Sequence, residues 1–148
     1  MEEVIRLLQL LHKTSHYGRI KCSPHMGAMA LARLQSSING FVRVAEHDGK
    51  ITGVLMGLVD EYWWAEPKKG ARYASDLAFF SRRLGDGARM MREFIDWAWS
   101  RPRVVKVETA VSSGMLNADL ADRFYENLGF EKRGSLYVID HPKLRKQP

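Results

Sequence analysis

Residues 40–64 restrict this chain more than any other stretch. Two apolar runs rich in β-branched and large side chains, 41–45 and 51–59, flank His47, Asp48, Gly49 and Lys50. An Asp-Gly pair between such runs supplies the positive backbone angles of a tight hairpin, so an antiparallel strand pair stands near the centre of the fold. Helical periodicity surrounds it. Residues 2–13 place Val4, Ile5, Leu7, Leu8 and Leu11 on one stripe, and a second helix opens with Ser23 as N-cap and Pro24 at the first helical position. Beyond the hairpin, residues 71–80 read as a third strand, 87–100 as a helix and 104–111 as a fourth strand. A helix over 118–128 ends at Gly129, and a last strand pair over 130–140 bends at Gly134.

At 148 residues, with 45% hydrophobic side chains, the chain is expected to form one domain over residues 1–148. No apolar run approaches the roughly 20 residues of a membrane span, and a single cysteine, Cys22, cannot form an internal disulfide. A cytoplasmic location without membrane contact is the expectation. The 23 Lys and Arg exceed the 17 Asp and Glu to give +6, which suits an anionic ligand but equally a solvated basic surface. The basic C-terminus, residues 141–148, reads as a solvated tail.

One turn carries chemistry. Ser81, Arg82, Arg83, Leu84, Gly85, Asp86, Gly87 and Ala88 join the third strand to the next helix. The first turn of a helix leaves amides without partners at the positive end of the dipole, and two glycines keep side chains away from an approaching phosphate. Arg82 and Arg83 add charge and forked donors. Forty residues on, Ala121, Phe124, Tyr125, Leu128, Gly129 and Phe130 complete a second motif.

These two motifs, in this order, resemble the GCN5-related N-acetyltransferase superfamily. Ala121, Phe124, Tyr125, Leu128, Gly129 and Phe130 match its Ala-x-x-Leu/Phe-Tyr-x-x-Leu/Met-Gly-Phe signature, and Arg82, Gly85 and Gly87 match its pyrophosphate loop. The likeness spans residues 41–140. It implies an α/β fold with a central mixed, mostly antiparallel, twisted sheet flanked by helices, here with the family's first strand missing. It also implies transfer of an acetyl group from acetyl-CoA to a primary amine, with no metal. Residues 82–88 would hold the pyrophosphate, while Leu77 and Phe79 would offer main-chain groups to the pantetheine arm. Asn117 stands in for a family asparagine one position early. Tyr125 would protonate the leaving thiolate; the alternative for it is an aromatic packed under the sheet.

For the general base, Glu61, Glu66, Asp76 and Glu108 are candidates on or beside the central strands. Glu108 is preferred, since an apolar strand would partly desolvate it and raise its pKa; pairing with Lys106 as a surface ion pair is the alternative. His12, His16, Cys22 and His25 have a spacing zinc accepts, though an exposed helix face explains His12 and His16 better. Residues 60–64, Asp-Glu-Tyr-Trp-Trp, suit a wall for the acceptor or ordinary packing at a sheet end. The acceptor would be a small-molecule or peptide amine, and an acidic rim of Asp60, Glu61 and Glu66 would favour a cationic one. Nucleic acid is disfavoured as a partner, and a homodimer stays open. The rival reading is a basic, non-catalytic module whose glycine turn grips nucleic-acid phosphates or another anionic partner, with Trp63 and Trp64 stacking.

Overall fold

The computed structural model describes residues 1–15, 17–67, 69–110 and 118–134. Two helices come first, α1 (Glu2–Thr14) and α2 (Pro24–Ser36). The Ser23 side chain accepts from the Met26 amide, the cap its position forecast. Next come β1 (Gly40–His47), β2 (Lys50–Glu61), β3 (Arg72–Ser81), α3 (Leu84–Trp99), β4 (Val104–Glu108) and α4 (Ala118–Asn127).

The four described strands form one sheet in the order β1-β2-β3-β4, antiparallel except for the parallel β3–β4 pair. No strand precedes β1 among the described residues. The hairpin closes with φ of 51° at Asp48 and 71° at Gly49, the left-handed pair that this dipeptide tolerates. Glu131 to Gly134 form no strand, and the rest of the expected final strand pair lies outside the described residues.

Alternation along the strands builds two cores. On one face α3 lays Met90, Met91, Phe94 and Ala98 over Phe41, Leu55, Val59 and Ala74. Val4 and Leu7 of α1 and Leu31 and Leu34 of α2 cover Val54, Met56 and Phe80 on the other. β2 therefore buries both faces, which explains its continuous apolar run. The Phe94 ring sits where a Cβ on Gly57 would lie 2.5 Å from Cε2, so that glycine lets α3 approach the sheet.

Two irregularities open the sheet on one side. In β3 the partners jump from Gly57↔Asp76 to Met56↔Ala78, so Leu77 bulges out and is 55% exposed. Pairing between β3 and β4 stops at Ser75↔Glu108. From Asp76 onward the two strands part company, and a gap opens between β3 and β4.

Candidate active site

Around that gap lies a cleft of about 290 Å³, lined by Asp76, Leu77, Ala78 and Phe79 of β3, Ala121, Phe124 and Tyr125 of α4, Ala110, and residues of α1 and the segment after it. α4 reaches it because its C-terminus is firmly closed. Gly129 at φ 89° donates to Glu126 O, and the Phe130 amide donates back to Tyr125 O. This Schellman arrangement carries its usual apolar contact, the Tyr125 and Phe130 rings meeting edge-on at 5.5 Å. Phe124 stacks on Phe79 at 5.7 Å, locking α4 to β3. The motif's glycine and aromatics thus fix where the Tyr125 hydroxyl points.

That hydroxyl is joined to a polar chain. Thr109 Oγ1 is hydrogen-bonded to Tyr125 Oη at 3.1 Å, and the Thr109 hydroxyl also favours the ionised form of the Asp76 carboxylate, which lines the same cleft. Loss of solvent dominates both ends of this chain. Burial pushes Asp76 up to about 6 against the opposing pull of the Thr109 hydroxyl, and burial pushes Tyr125 up to about 12, with the negative Asp76 adding to the rise. A carboxylate poised near neutrality beside a phenol that stays protonated is an acid–base pair. Sequence reasoning misses Thr109, whose only signal is its place directly after Glu108.

Glu108 is different from its expectation. Its side chain is 45% exposed, accepts from Tyr62 Oη at 3.1 Å and lies 3.8 Å from Lys106 Nζ, so the surface-pair alternative describes it. The β3–β4 register shifts between Arg72 and Tyr73, leaving Val105 exposed and turning Val107 and Thr109 inward and Glu108 outward. Desolvation, the ground for preferring Glu108, belongs to Asp76 instead. Glu61 is held by Arg103 at 3.2 Å, and Glu66 is exposed in the loop before β3.

At the far end of β3 the phosphate turn needs a second correction. α3 begins at Leu84 rather than Gly87, with Arg83 as an N-cap that makes no side-chain hydrogen bond. Gly87 N already donates to Arg83 O at 3.0 Å, so the amides without a helical acceptor are those of Leu84, Gly85 and Asp86, and Gly87 and Ala88 lie past them. A Cβ at Gly85 would meet open space, whereas one at Gly87 would lie 3.2 Å from Ser81 Cβ and 3.3 Å from Phe79 Cζ. Gly85 is the open position; Gly87 lets the helix settle on β3. Hence Gly87→Glu is expected to destabilise the fold by about 2 kcal/mol or more through overpacking, read as a lowered urea midpoint. A midpoint equal to the parent's would show that the helix start has room to spare. Arg82 and Arg83 are exposed beside these amides, and the Asp86 side chain turns aside to accept from Thr52 Oγ1 at 3.1 Å near Arg83 and Arg89.

Main-chain groups on β3 link the two ends. Arg82 N donates to Thr52 O, so alternation turns Ala78 and Phe80 toward β2 and leaves those of Phe79 and, beyond the bulge, Leu77 on the parted edge. Asn117 and His16 lie outside the described residues. The zinc grouping does not assemble from the rest: His12 is half-buried in the cleft wall with Nε2 2.6 Å from Ile20 O, and no three potential ligands converge among the described residues.

A second cleft, about 410 Å³, opens beside Glu108 and is lined by Asp60, Glu61, Tyr62, Trp63, Trp64 and Tyr73. Tyr62 stacks with Trp64 at 4.7 Å, Lys106 Nζ sits 5.9 Å over the Tyr62 ring, and Trp63 is 92% exposed. Glu66 does not line it.

The parted parallel strands, the helix start at the end of β3 and the capped aromatic helix together make the GCN5-related N-acetyltransferase fold. Two curated relatives, aminoglycoside N(6')-acetyltransferases type 1 of Klebsiella pneumoniae and Serratia marcescens, are each 31% identical over 91 residues, 60% of this chain and 44% of theirs. The chain thus spans less than half the length of the curated relatives it matches. A putative acetyltransferase from Agrobacterium tumefaciens superimposes with a TM-score of 0.67 at 18% identity, covering 95% of this chain and 92% of its own. AAC(6')-Iy, in complex with the bisubstrate analog CoA-S-monomethyl-acetylneamine, does so with 0.65 at 11% identity over 93% and 90% of the two chains. At these identities the structural likeness is one of fold. No family model matches the chain.

Proposed function

We propose that this chain transfers an acetyl group from acetyl-CoA to a primary amine of a small cationic molecule. The observation that carries the reading is the meeting of Asp76, Thr109 and Tyr125 where β3 and β4 part. Acetyl-CoA would lie with its pyrophosphate on the Leu84, Gly85 and Asp86 amides, flanked by Arg82 and Arg83. Its pantetheine arm would follow the open edge at Leu77 and Phe79, which brings the thioester to Tyr125. Support comes from the fold and from a structural neighbour that holds a CoA analog. Asp76 takes the proton of the attacking amine, and Tyr125 gives one to the departing thiolate.

The acceptor reading rests on the second cleft. Three carboxylates and four aromatic rings suit a cation, and Lys106 over Tyr62 is an example of the contact such a wall makes. The curated relatives are named for aminoglycosides, which are polyamines of this charge. Thiol release measured over a panel of amines tests the proposal: cationic amines should turn over, and Asp60→Asn with Glu61→Gln should raise their KM roughly 10-fold while kcat changes little. If only neutral or acidic amines react, the cationic acceptor is wrong; if none reacts, the transferase reading is.

A further inference from the structure

The loop between β2 and β3 carries Tyr62, Trp63 and Trp64, three of the rings of the second cleft, and a side chain from outside the loop closes its base. Arg103, in the turn before β4, donates through Nη1 to Gly70 O at 3.1 Å and through Nη2 to Glu61 Oε1 at 3.2 Å. Its own carbonyl accepts from Arg72 N at 2.9 Å. Glu61 is the last residue of β2, Gly70 stands two residues before β3, and Arg72 opens β3. One residue therefore binds both ends of the loop. A planar guanidinium suits this task, because its N–H donors have fixed directions and bridge a carboxylate and a carbonyl at once.

Arginine stands there at a backbone cost. Its φ is 67°, in the left-handed region that residues other than glycine, asparagine and aspartate seldom adopt. Such an outlier persists where the surrounding contacts fix it. We propose that Arg103 is a positioning residue that staples the base of this loop, holds Trp63 and Trp64 beside the reaction gap, and so sets the affinity for the cationic acceptor. Glu108 gives the loop that neighbourhood, since it lines the second cleft and pairs with Ser75 at the last register before β3 and β4 part. The inference rests on the transferase reading and names a group, outside the lining of the cleft, that controls its acceptor side.

Within the loop the chain is folded on itself. Ala65 N donates to Tyr62 O at 2.9 Å and Gly70 N to Glu66 O at 2.6 Å, and a Cβ on Gly70 would lie 2.5 Å from Ala65 Cβ. The loop meets β4 at a second point, where Tyr62 Oη donates to Glu108 Oε1 at 3.1 Å and fixes the ring on which Trp64 stacks. Trp63, 92% exposed, takes its place from the backbone, and the backbone there depends on the base of the loop. The Arg103 and Glu61 side chains are 33% and 46% exposed, so their pairing adds little to the stability of the whole fold. Its loss should be felt in the loop.

Arg103→Lys keeps the charge and loses the fork, while Arg103→Gly removes the side chain and relieves the strained φ. Amide hydrogen exchange at Ala65 and Gly70, melting temperature, acetyl-CoA affinity and thiol release with spermidine and an aminoglycoside as cationic amines would be measured for the parent and both variants. Exchange at the two amides should quicken by about 10-fold in both variants. The KM for the cationic amines should rise roughly 5- to 10-fold with kcat and acetyl-CoA affinity unchanged. The melting temperature of the glycine variant should not fall. Exchange equal to the parent's in both variants overturns the staple. Faster exchange with an unchanged KM overturns its role in acceptor recognition, and a lower KM reduces Arg103 to a countercharge for Glu61. A glycine variant that melts lower and loses kcat overturns the proposal by marking a role in the fold at large. A parent that turns over neither amine overturns the cationic-acceptor reading beneath it, while the exchange rates still judge the staple.

Discussion

Tyr125→Phe should lower kcat by about 10²- to 10⁴-fold and leave acetyl-CoA affinity unchanged. The substitution removes one oxygen. The ring keeps its edge-on contacts with Phe124 at 5.1 Å and Phe130 at 5.5 Å, so the helix end that positions it is retained. What goes is the proton for the leaving thiolate and the partner of Thr109. Burial, the main cause of the rise to about 12, keeps this phenol protonated throughout the working range. Tyr125 should therefore contribute no basic limb to the parent's pH–rate profile below about pH 10. A phenylalanine variant with parental kcat would reduce Tyr125 to packing.

Asp76→Asn should cost a similar factor, about 10²- to 10⁴-fold in kcat, because the amide keeps the side chain's shape but cannot take a proton. The pH dependence has a definite sign. Only the ionised form is a base, so the parent's activity should fall as the pH drops through about 6, and that limb should vanish in any residual activity of the variant. Stability moves the other way. With its folded value raised from 3.8 to about 6, Asp76 contributes stability that is full below 3.8 and lost as the pH rises through about 6. Near neutrality the ionised carboxylate is a burden, and Asp76→Asn should stabilise the fold by about 1–3 kcal/mol. A variant that is dead yet melts higher marks a group kept for chemistry. An asparagine variant that is less stable at neutral pH, or fully active, contradicts the assignment.

Those two residues also show what a linear sequence discloses. Tyr125 is singled out by the family motif it belongs to, and the place of its ring is set by local chemistry, since an aromatic four residues before a helix-ending glycine is positioned by the cap itself. The hairpin is legible for the same reason, since Asp48 and Gly49 accept positive φ wherever they stand. The base is not. Choosing among four carboxylates requires knowing which face each strand position takes, and two irregularities reset the count, the bulge at Leu77 and the register shift at the start of the β3–β4 pair. Both arise from how strands meet, and neither Leu77 nor Val105 announces it.

The glycine turn is misread by less. Sequence joins Gly85 and Gly87 as one phosphate cradle, but their spacing of two inside one helical turn sends them in different directions, one to solvent and one into Phe79 and Ser81. The helix starts three residues earlier than expected, at Leu84, behind an N-cap, Arg83, that makes no side-chain capping hydrogen bond. The amphipathic character of α1 is clear in its apolar stripe, yet His12, expected on the exposed side, lines the cleft.

Donor binding at the start of α3 is the central claim. Calorimetric titration of acetyl-CoA into the parent protein and into Gly85→Glu measures it, because the substitution points a carboxylate into open space at the amides proposed to hold the pyrophosphate and disturbs no packed neighbour. The expected result is saturable one-to-one binding by the parent and its loss in a variant of unchanged melting temperature. Equal affinity in the two proteins, or no binding by the parent, would contradict it.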